Sequence, residues 1–397
     1  MSASEKRHEF GLIALIASCS ALGPMANNML MPALPEIQRE FTANQPAAQT
    51  TISFFLWSFA IGILFAGPLS DRYGRRPIIA GGLAIFILGS VLAALAPTLE
   101  WLVAGRVVQA IGASAGLTVA RAVAGDRYQG ATLAQALAIV TMTMMLGTTV
   151  SPAIGGYLAK WFSWHTGIWL MAALAIIVLG CVLTLLPETR HASARSGSAT
   201  KLAREAGLVL KNPKFVGYAL QVGLIYSIFL AFISVTPYVM ADVMHSSATD
   251  FGLYYMLLSA GYFVGNLYVA TLGRGIAAEK LMFAGIGFQM AGAALGLALA
   301  MGHVWTPMAL FLPQLPLAFG QGLALPHLTA RAVHLAPDHP GVASSVIGFS
   351  QQAMAGLSVQ AMGLAATDTP LPITTFCLVA SAVAMGALLL LTPRQSR

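Results

Sequence analysis

The segment "GPLSDRYGRRPI" places Gly67, Asp71, Arg72, Gly74, Arg75 and Arg76 between two runs of nearly uncharged sequence. One carboxylate among three guanidiniums can make charge-assisted pairs, and a latch that opens and closes is the chemistry such a set performs. Gly67 and Gly74 permit close backbone approach or a positive φ. Alternatively, the arginines do no more than mark one side of a membrane. A further charge, Arg106, lies inside the apolar stretch "LVAGRVVQAIGASAG", with Gln109 three residues on. An arginine there is costly and marks a binding or coupling site, unless it snorkels to the nearer end, about five residues (~7–8 Å) away.

Other chemistries find little support. There is no G-x-x-x-x-G-K-[ST], so nucleotide hydrolysis is not expected. His245, His303, His327 and His334 share no ligand spacing. Cys19, Cys181 and Cys377 lie in apolar runs without C-x-x-C spacing, so no metal, disulfide or cofactor is expected. No group of acids, histidines and nucleophiles gathers at one interface, which argues against an enzyme.

The elements that must position these residues follow from composition. Of 397 residues, 57% are hydrophobic and 9% charged, with mean hydropathy +0.76. Soluble domains carry roughly 25% charged residues, so this chain is built for lipid. Its net charge of +7 sits in short loops and forms no basic face, so nucleic acid is not an expected partner. Runs of roughly 20 apolar residues, the length that spans a bilayer, recur at 10–30, 49–68, 78–96, 101–120, 133–156, 166–186, 215–238, 249–271, 280–300, 306–326, 341–363 and 371–392. The fold class expected is all-α integral membrane, with twelve transmembrane helices in two pseudo-symmetric six-helix bundles. With the N-terminus inside, eighteen of the 21 Lys and Arg residues fall on the inner side; Arg39 and Lys160 fall outside and Arg106 within a span. That asymmetry predicts cytoplasmic termini and a multi-pass protein of the cell inner membrane.

The predicted domains are residues 1–186, a cytoplasmic linker over 187–214, and residues 215–397. The linker is rich in Ser, Ala and Arg and carries six basic residues from Arg190 through Arg195 to Lys214. "GILFAGPLSDRYGRR" and "GNLYVATLGRGIAAE" align at an offset of 203 residues, which sets Arg274 where the first half has Asp71. Pro32 likewise has Pro237. Two related halves suggest a transporter, since a site between repeats allows alternating access.

The pattern G-x-x-L-x-D-R-x-G-R-R resembles the loop between the second and third helices of the major facilitator superfamily. The resemblance implies that this loop braces the cytoplasmic face in the outward-open state. Asp71 would meet the start of the eleventh helix at Gly341–Ser344, and Asp126 in "RAVAGDRY" would pair with Arg75. The segment around Arg106 is similar to the family's buried-arginine segment. "GTTVSPAIGG", with Gly147, Pro152, Gly155 and Gly156, resembles the motif of the drug-exporting, proton-antiporting branches, although Ser151 stands where a glycine is usual. "NNMLMPALPEI" resembles the T-D-M-Y-L-P-A-L-P segment of the Bcr/CflA-type multidrug exporters, with Asn28 in place of its aspartate and Asn27 before it. None of the fourteen acids falls at mid-span, so the family's proton-carrying carboxylate is missing.

Candidate substrate or coupling residues are Asn27, Asn28, Arg106, Gln109, Gln221, Tyr226, Tyr255, Asn266 and Gln351. Aromatic and methionine side chains on the same spans suit a loosely selective apolar cavity. The function expected is secondary active transport: proton-coupled antiport exporting small apolar or amphipathic drugs or metabolites, by a monomer in the lipid bilayer. An importer or symporter on the same fold is the alternative, and a polytopic membrane enzyme a lesser one.

Overall fold

The computed structural model describes residues 3–189, 199–365 and 368–392. Arg190 and Arg195 of the predicted linker lie outside them. The described chain is helical, with no strand. Its first half holds α1 (Ala3–Leu30), the short α2 (Leu34–Glu40), α3 (Gln45–Tyr73), α4 (Arg75–Ala94), α5 (Leu99–Arg127), α6 (Gly130–Trp161) and α7 (Trp164–Leu185). A connecting helix, α8 (Ala199–Leu210), leads to α9 (Pro213–Tyr238), α10 (Ala248–Thr271) and α11 (Ala278–Met301). The chain then closes with α12 (Pro307–Phe311), α13 (Gln314–His334), α14 (Pro340–Gly363) and α15 (Leu371–Leu391).

The helix starts follow from capping. The Thr98, Asn212 and Thr306 side chains accept the first free N–H groups of α5, α9 and α12, which otherwise lack partners. Ser247 and Asp250 form a reciprocal capping box on α10. Among the described residues, eleven stretches, with α1 and α2 and likewise α12 and α13 taken together, are long and apolar enough to cross a membrane. The twelfth long helix, α14, carries Ser344, Ser345, Ser350, Gln351, Gln352, Ser358 and Gln360, which lower its hydropathy. Two of these groups turn onto α9: Ser350 Oγ donates to the Ala219 carbonyl (2.9 Å) and Ser358 Oγ to the Ser227 carbonyl (3.2 Å). Large apolar side chains such as Ile177, Leu389 and Leu390 lie exposed on the outer faces, as lipid contact requires.

The chain forms two compact units, one of Met1–Leu30 and Thr50–Ala203, the other of Met31–Gln49 and Arg204–Arg397. The first has its core around Ile16, Phe55, Phe86, Val119 and Val123. The second is centred on Phe215, Val222, Ile286, Leu328 and Leu388. Helix pairings repeat: α4 with α5, α1 with α6 and α4 with α7 in the first, α11 with α13, α9 with α14 and α11 with α15 in the second.

The repetition reaches single residues. A Cβ on Gly62 would meet Ser114 and the Ile111 carbonyl; on Gly265 it would meet Gly322 and the Phe319 carbonyl. Gly82 packs on the Gly112 carbonyl and Gly285 on the Gly320 carbonyl. Gly89 meets the Gln109 nitrogen and Gly292 the Leu317 nitrogen. One register covers all three: 203 residues for α3 and α4 (265 − 62), 208 for α5 (322 − 114). Contacts of α6 with α1 give 203 and 198: Gly147 meets Ala21 and Met25, while Ser350 meets Ala219 and Gly223.

Two local features differ from the expectation. The segment resembling a loop is helical on both sides, α3 running through Asp71 and Arg72 to Tyr73, and Gly74 alone makes the break at φ 107°. The predicted linker is partly helical. In α8, Val209 is buried in the second core while Leu208 and Leu210 are exposed, and Glu205 lies 3.9 Å from His339.

Candidate functional site

Arg75 gathers the charges at the Gly74 break. Its Nη1 donates to Asp71 Oδ1 (2.5 Å) and Ser70 Oγ (2.6 Å), and its Nε donates to Asp126 Oδ2 (2.8 Å). Thus Asp71, Arg75 and Asp126 come together within one unit. Arg76 reaches the Leu183 carbonyl, and Arg72 stacks over Tyr73 with 5.1 Å to the ring centroid. Gly67 is packed on Thr118.

A fourth participant, Glu188, did not emerge from the sequence. Its carboxylate accepts from the backbone N–H groups of Arg75 (2.9 Å) and Arg76 (3.2 Å), and so caps the first turn of α4. A carboxylate at a helix N-terminus is favoured by both the free donors and the helix dipole. A Cβ at Gly74 would stand 2.6 Å from Glu188 Oε2, so this cap and the positive φ both require glycine. The available signal was an acid in "LPETR" just after an apolar span. Thr189 Oγ1 adds a 3.5 Å contact to Asp126.

The second cluster centres on Arg106, whose side chain is fully buried. Its Nη1 donates to Gln109 Oε1 (2.5 Å) and the Ala26 carbonyl (3.3 Å), Nη2 to Asn27 Oδ1 (3.4 Å), and Nε to the Thr51 carbonyl (3.4 Å). The guanidinium carbon lies 4.1 Å from the Phe55 ring centroid, a cation–π contact. Gln109 is held in turn, its Nε2 donating to Ser90 Oγ (2.7 Å). Each of these partners is neutral. Burying an ion costs several kcal/mol, and carbonyl dipoles with one π face offset part of that. Arg106 is therefore a fixed positive charge without a carboxylate among these contacts. Asn28 is buried beside Asn27.

The motif on α6 is a packing surface against α1. A Cβ at Gly147 would stand 2.7 Å from Met25 Sδ, and one at Gly155 2.0 Å from the Met29 carbonyl. Pro152 lies inside the same helix and removes a donor from its ladder, with Gly156 one turn on. This brings α6 onto the segment of α1 that carries Asn27.

In the second unit the candidates divide. Tyr226 and Tyr255 join an aromatic cluster, each about a ring contact from Phe229 (6.3 and 6.0 Å between centroids), and Phe251 and Phe311 extend it. Gln221 and Gln321 instead tie helices together, donating to the Ala384 (3.0 Å) and Ile225 (2.8 Å) carbonyls. Asn266 Nδ2 bonds the Tyr262 carbonyl of its own helix (2.9 Å). Gln351 is half-buried on α14. Among the described residues, no three His, Cys, Asp or Glu side chains meet in a way that could hold a metal ion.

Comparison with known proteins agrees with this frame. The chain is similar to an uncharacterized transporter of Rickettsia bellii, 30% identical over 82% of this chain and 83% of that one. It also resembles the multidrug resistance protein MdtL of Escherichia coli, 28% identical over 83% and 82%. Among solved structures, a POT family transporter superposes with TM-score 0.77 at 14% identity, covering 95% of this chain and 94% of that one. A D-xylose-proton symporter does so with TM-score 0.74 at 14% identity, covering 97% of each. The family model for the Major Facilitator Superfamily matches residues 16–359. Matched over most of its length and folded as two six-helix units, the chain belongs to the major facilitator superfamily and is a multi-pass membrane transporter of small molecules.

Proposed function

We propose that the protein is a proton-coupled exporter of small apolar or amphipathic compounds, working as a monomer in the cell inner membrane with both termini cytoplasmic. The observation that carries this reading is Arg106: a buried, permanently charged group held by neutral oxygens and a ring. A fixed positive charge at such a site favours anionic or strongly dipolar substrates, and Asn27, Asn28 and Gln109 supply hydrogen-bonding groups around it. The aromatic cluster of Tyr226, Phe229 and Tyr255 offers a broad apolar contact of the kind that tolerates varied ligands. The name of the multidrug relative supports export, and the one-sided distribution of Lys and Arg supports the orientation.

In this reading the Asp71–Arg75–Asp126 set, capped by Glu188, is the inner latch. Paired, it holds α3, α4 and α5 in one arrangement; exchange of these partners accompanies opening. The alternative, proton-linked import, uses the same parts with the gradient driving substrate inward. A substrate panel in an efflux-deficient strain, followed by transport into proteoliposomes under an imposed pH gradient, separates the two. Export predicts increased resistance and gradient-driven movement opposite to the protons. Accumulation alongside protons would support import instead.

A further inference from the structure

The second unit holds an imidazole inside a membrane-length helix. His327 lies on α13, seven residues before its last residue, His334, which is about 10 Å along the axis at 1.5 Å per residue. The ring is half-buried, and its Nε2 is buried with no hydrogen-bond partner. Leaving a buried polar atom unpaired is costly, so the site gains by acquiring a proton, a water or a ligand atom there. Pro326 immediately before it has no N–H, which frees the Gly322 carbonyl from the helix ladder and loosens the turn.

Carboxylates are not available for the same task. Among the described residues of the spans, Asp71, Glu100, Asp126, Asp250 and Glu279 each stand within two residues of a helix end, Glu9 opens the first span, and Glu36 and Asp242 lie close to the ends of theirs, Glu40 and Val243. The elements packed against α13 are α9, α10, α11, α12 and α14. Of these, α12 and α14 carry no Asp, Glu, His, Lys, Arg or Tyr. Helix α9 brings Lys214, Tyr218, Tyr226 and Tyr238; α10 brings Asp250, Tyr254, Tyr255, Tyr262 and Tyr268. Helix α11 brings Lys280 and Glu279, the latter 3.8 Å from Arg331 of α13 itself. Among the side chains α13 and its neighbours carry inside the spans, histidine alone ordinarily changes charge between about pH 5 and 8.

We propose that His327 is a proton-binding coupling site, taking a proton on Nε2 in one conformation and releasing it to the other side in the next. The neutral form then carries its hydrogen on Nδ1, and uptake converts the ring to imidazolium without any other bond changing. This rests on the proton-coupled reading above. It moves the coupling proton from the first unit, where Asn28 stands in place of an acid, to the second.

The first test uses the wild-type protein without substrate. Diethyl pyrocarbonate attacks only neutral imidazole, and mass spectrometry reports modification at His327 separately from the other histidines. Modification should rise along a single titration curve between about pH 5 and 8; no modification at any pH would overturn the proposal. The second test places a single cysteine at Ser344, exposed on α14, in a background lacking the three native cysteines. Maleimide labelling, normalised at each pH to that of the same cysteine in the denatured protein so that the thiol's own ionisation cancels, should change about tenfold across the same pH range, and His327→Gln should flatten this ratio, with His327→Asn as the substitute if that variant does not fold. A pH response retained in the variant, or absent from wild type, would contradict the assignment. Failure of every probe to move under a pH gradient would instead count against proton-coupled export, and these readouts would still report on His327.

Discussion

In the first unit, α4 and α5 close on Gly89 and Gly105, and the seam carries Arg106 and Gln109. In the second, α11 and α13 close on Gly292 and Gly320. Under the shared register the places of Arg106 and Gln109 are taken there by Gln314 and Leu317, and those of Asn27 and Asn28 by Ile225 and Tyr226. At the other end of the same helices, α4 starts with Arg75 and α11 with Ala278. The frame is thus repeated and the charge is not. Close approach of two helices requires only that a Cβ be missing, so it survives many substitutions elsewhere. A buried guanidinium must be compensated by several oriented oxygens, and one unit alone supplies them. Packing is common to both units; in the function proposed above, selection by charge belongs to the first.

Breaking the frame should have the largest effect, and equally in both units. A Cβ at Gly89 would stand 2.2 Å from the Gln109 nitrogen, and one at Gly292 2.5 Å from the Pro313 carbonyl oxygen. Gly89→Val and Gly292→Val are each expected to cost about 3 kcal/mol or more, read as loss of folded yield and of thermal stability in detergent. Gly81→Val, with nothing within 4 Å of its Cβ, should behave as wild type. A tolerated Gly292→Val would mean the second seam is looser than its twin.

Removing the charge should separate the units. Arg106→Ala should lower transport at least about tenfold with insertion intact, and Arg106→Lys should fall between it and wild type, because an ammonium lacks the planar fork. Gln314→Ala at the matching place should stay within about twofold, as expected for a substitution that removes no charge. Equal losses at both positions, measured as initial rates in proteoliposomes, would show that the matched site matters more than its charge.

The latch predicts a smaller, conformational effect. Asp71→Asn should lower transport, by less than Arg106→Ala does, without lowering membrane yield, and exchanging Arg75 with Asp126 should restore part of what each single change loses. Additive losses in the exchange would show that the two act separately. Smallest of all, Glu188→Ala removes the cap on α4 and should cost about 1 kcal/mol. The Arg39–Asp242 pair (3.3 Å), with both side chains more than half exposed, should contribute about 0–1 kcal/mol, so Asp242→Asn should barely move the melting temperature.

The helices were legible because a span needs a long apolar run, and the run is local. The α14 case shows the limit: its serines and glutamines dilute that signal, yet two of them, Ser350 and Ser358, donate to α9 carbonyls and tie the helix in place. The Asp71 pattern was legible as a charge set, and its partner Asp126 through resemblance. Glu188 was not, since its role depends on the end of α7 arriving at Gly74 from far along the chain. The resemblance singles out Asn28, which stands where the aspartate would be; helix phase instead sets Asn27 Oδ1 at Arg106. Gln221 and Gln321 look alike in sequence to cavity-lining amides, but each has an α-helical carbonyl within reach. Both spend their donor on the carbonyl of a neighbouring helix.

The most direct test of selection by Arg106 compares a sulfonated anionic dye and ethidium, a cation, in proteoliposomes under one imposed pH gradient. Wild type should move the anion faster, Arg106→Ala should lose that preference, and Asn28→Asp, which supplies a carboxylate beside the cluster, should shift it toward ethidium. A wild-type preference for ethidium that persists in Arg106→Ala would contradict the account.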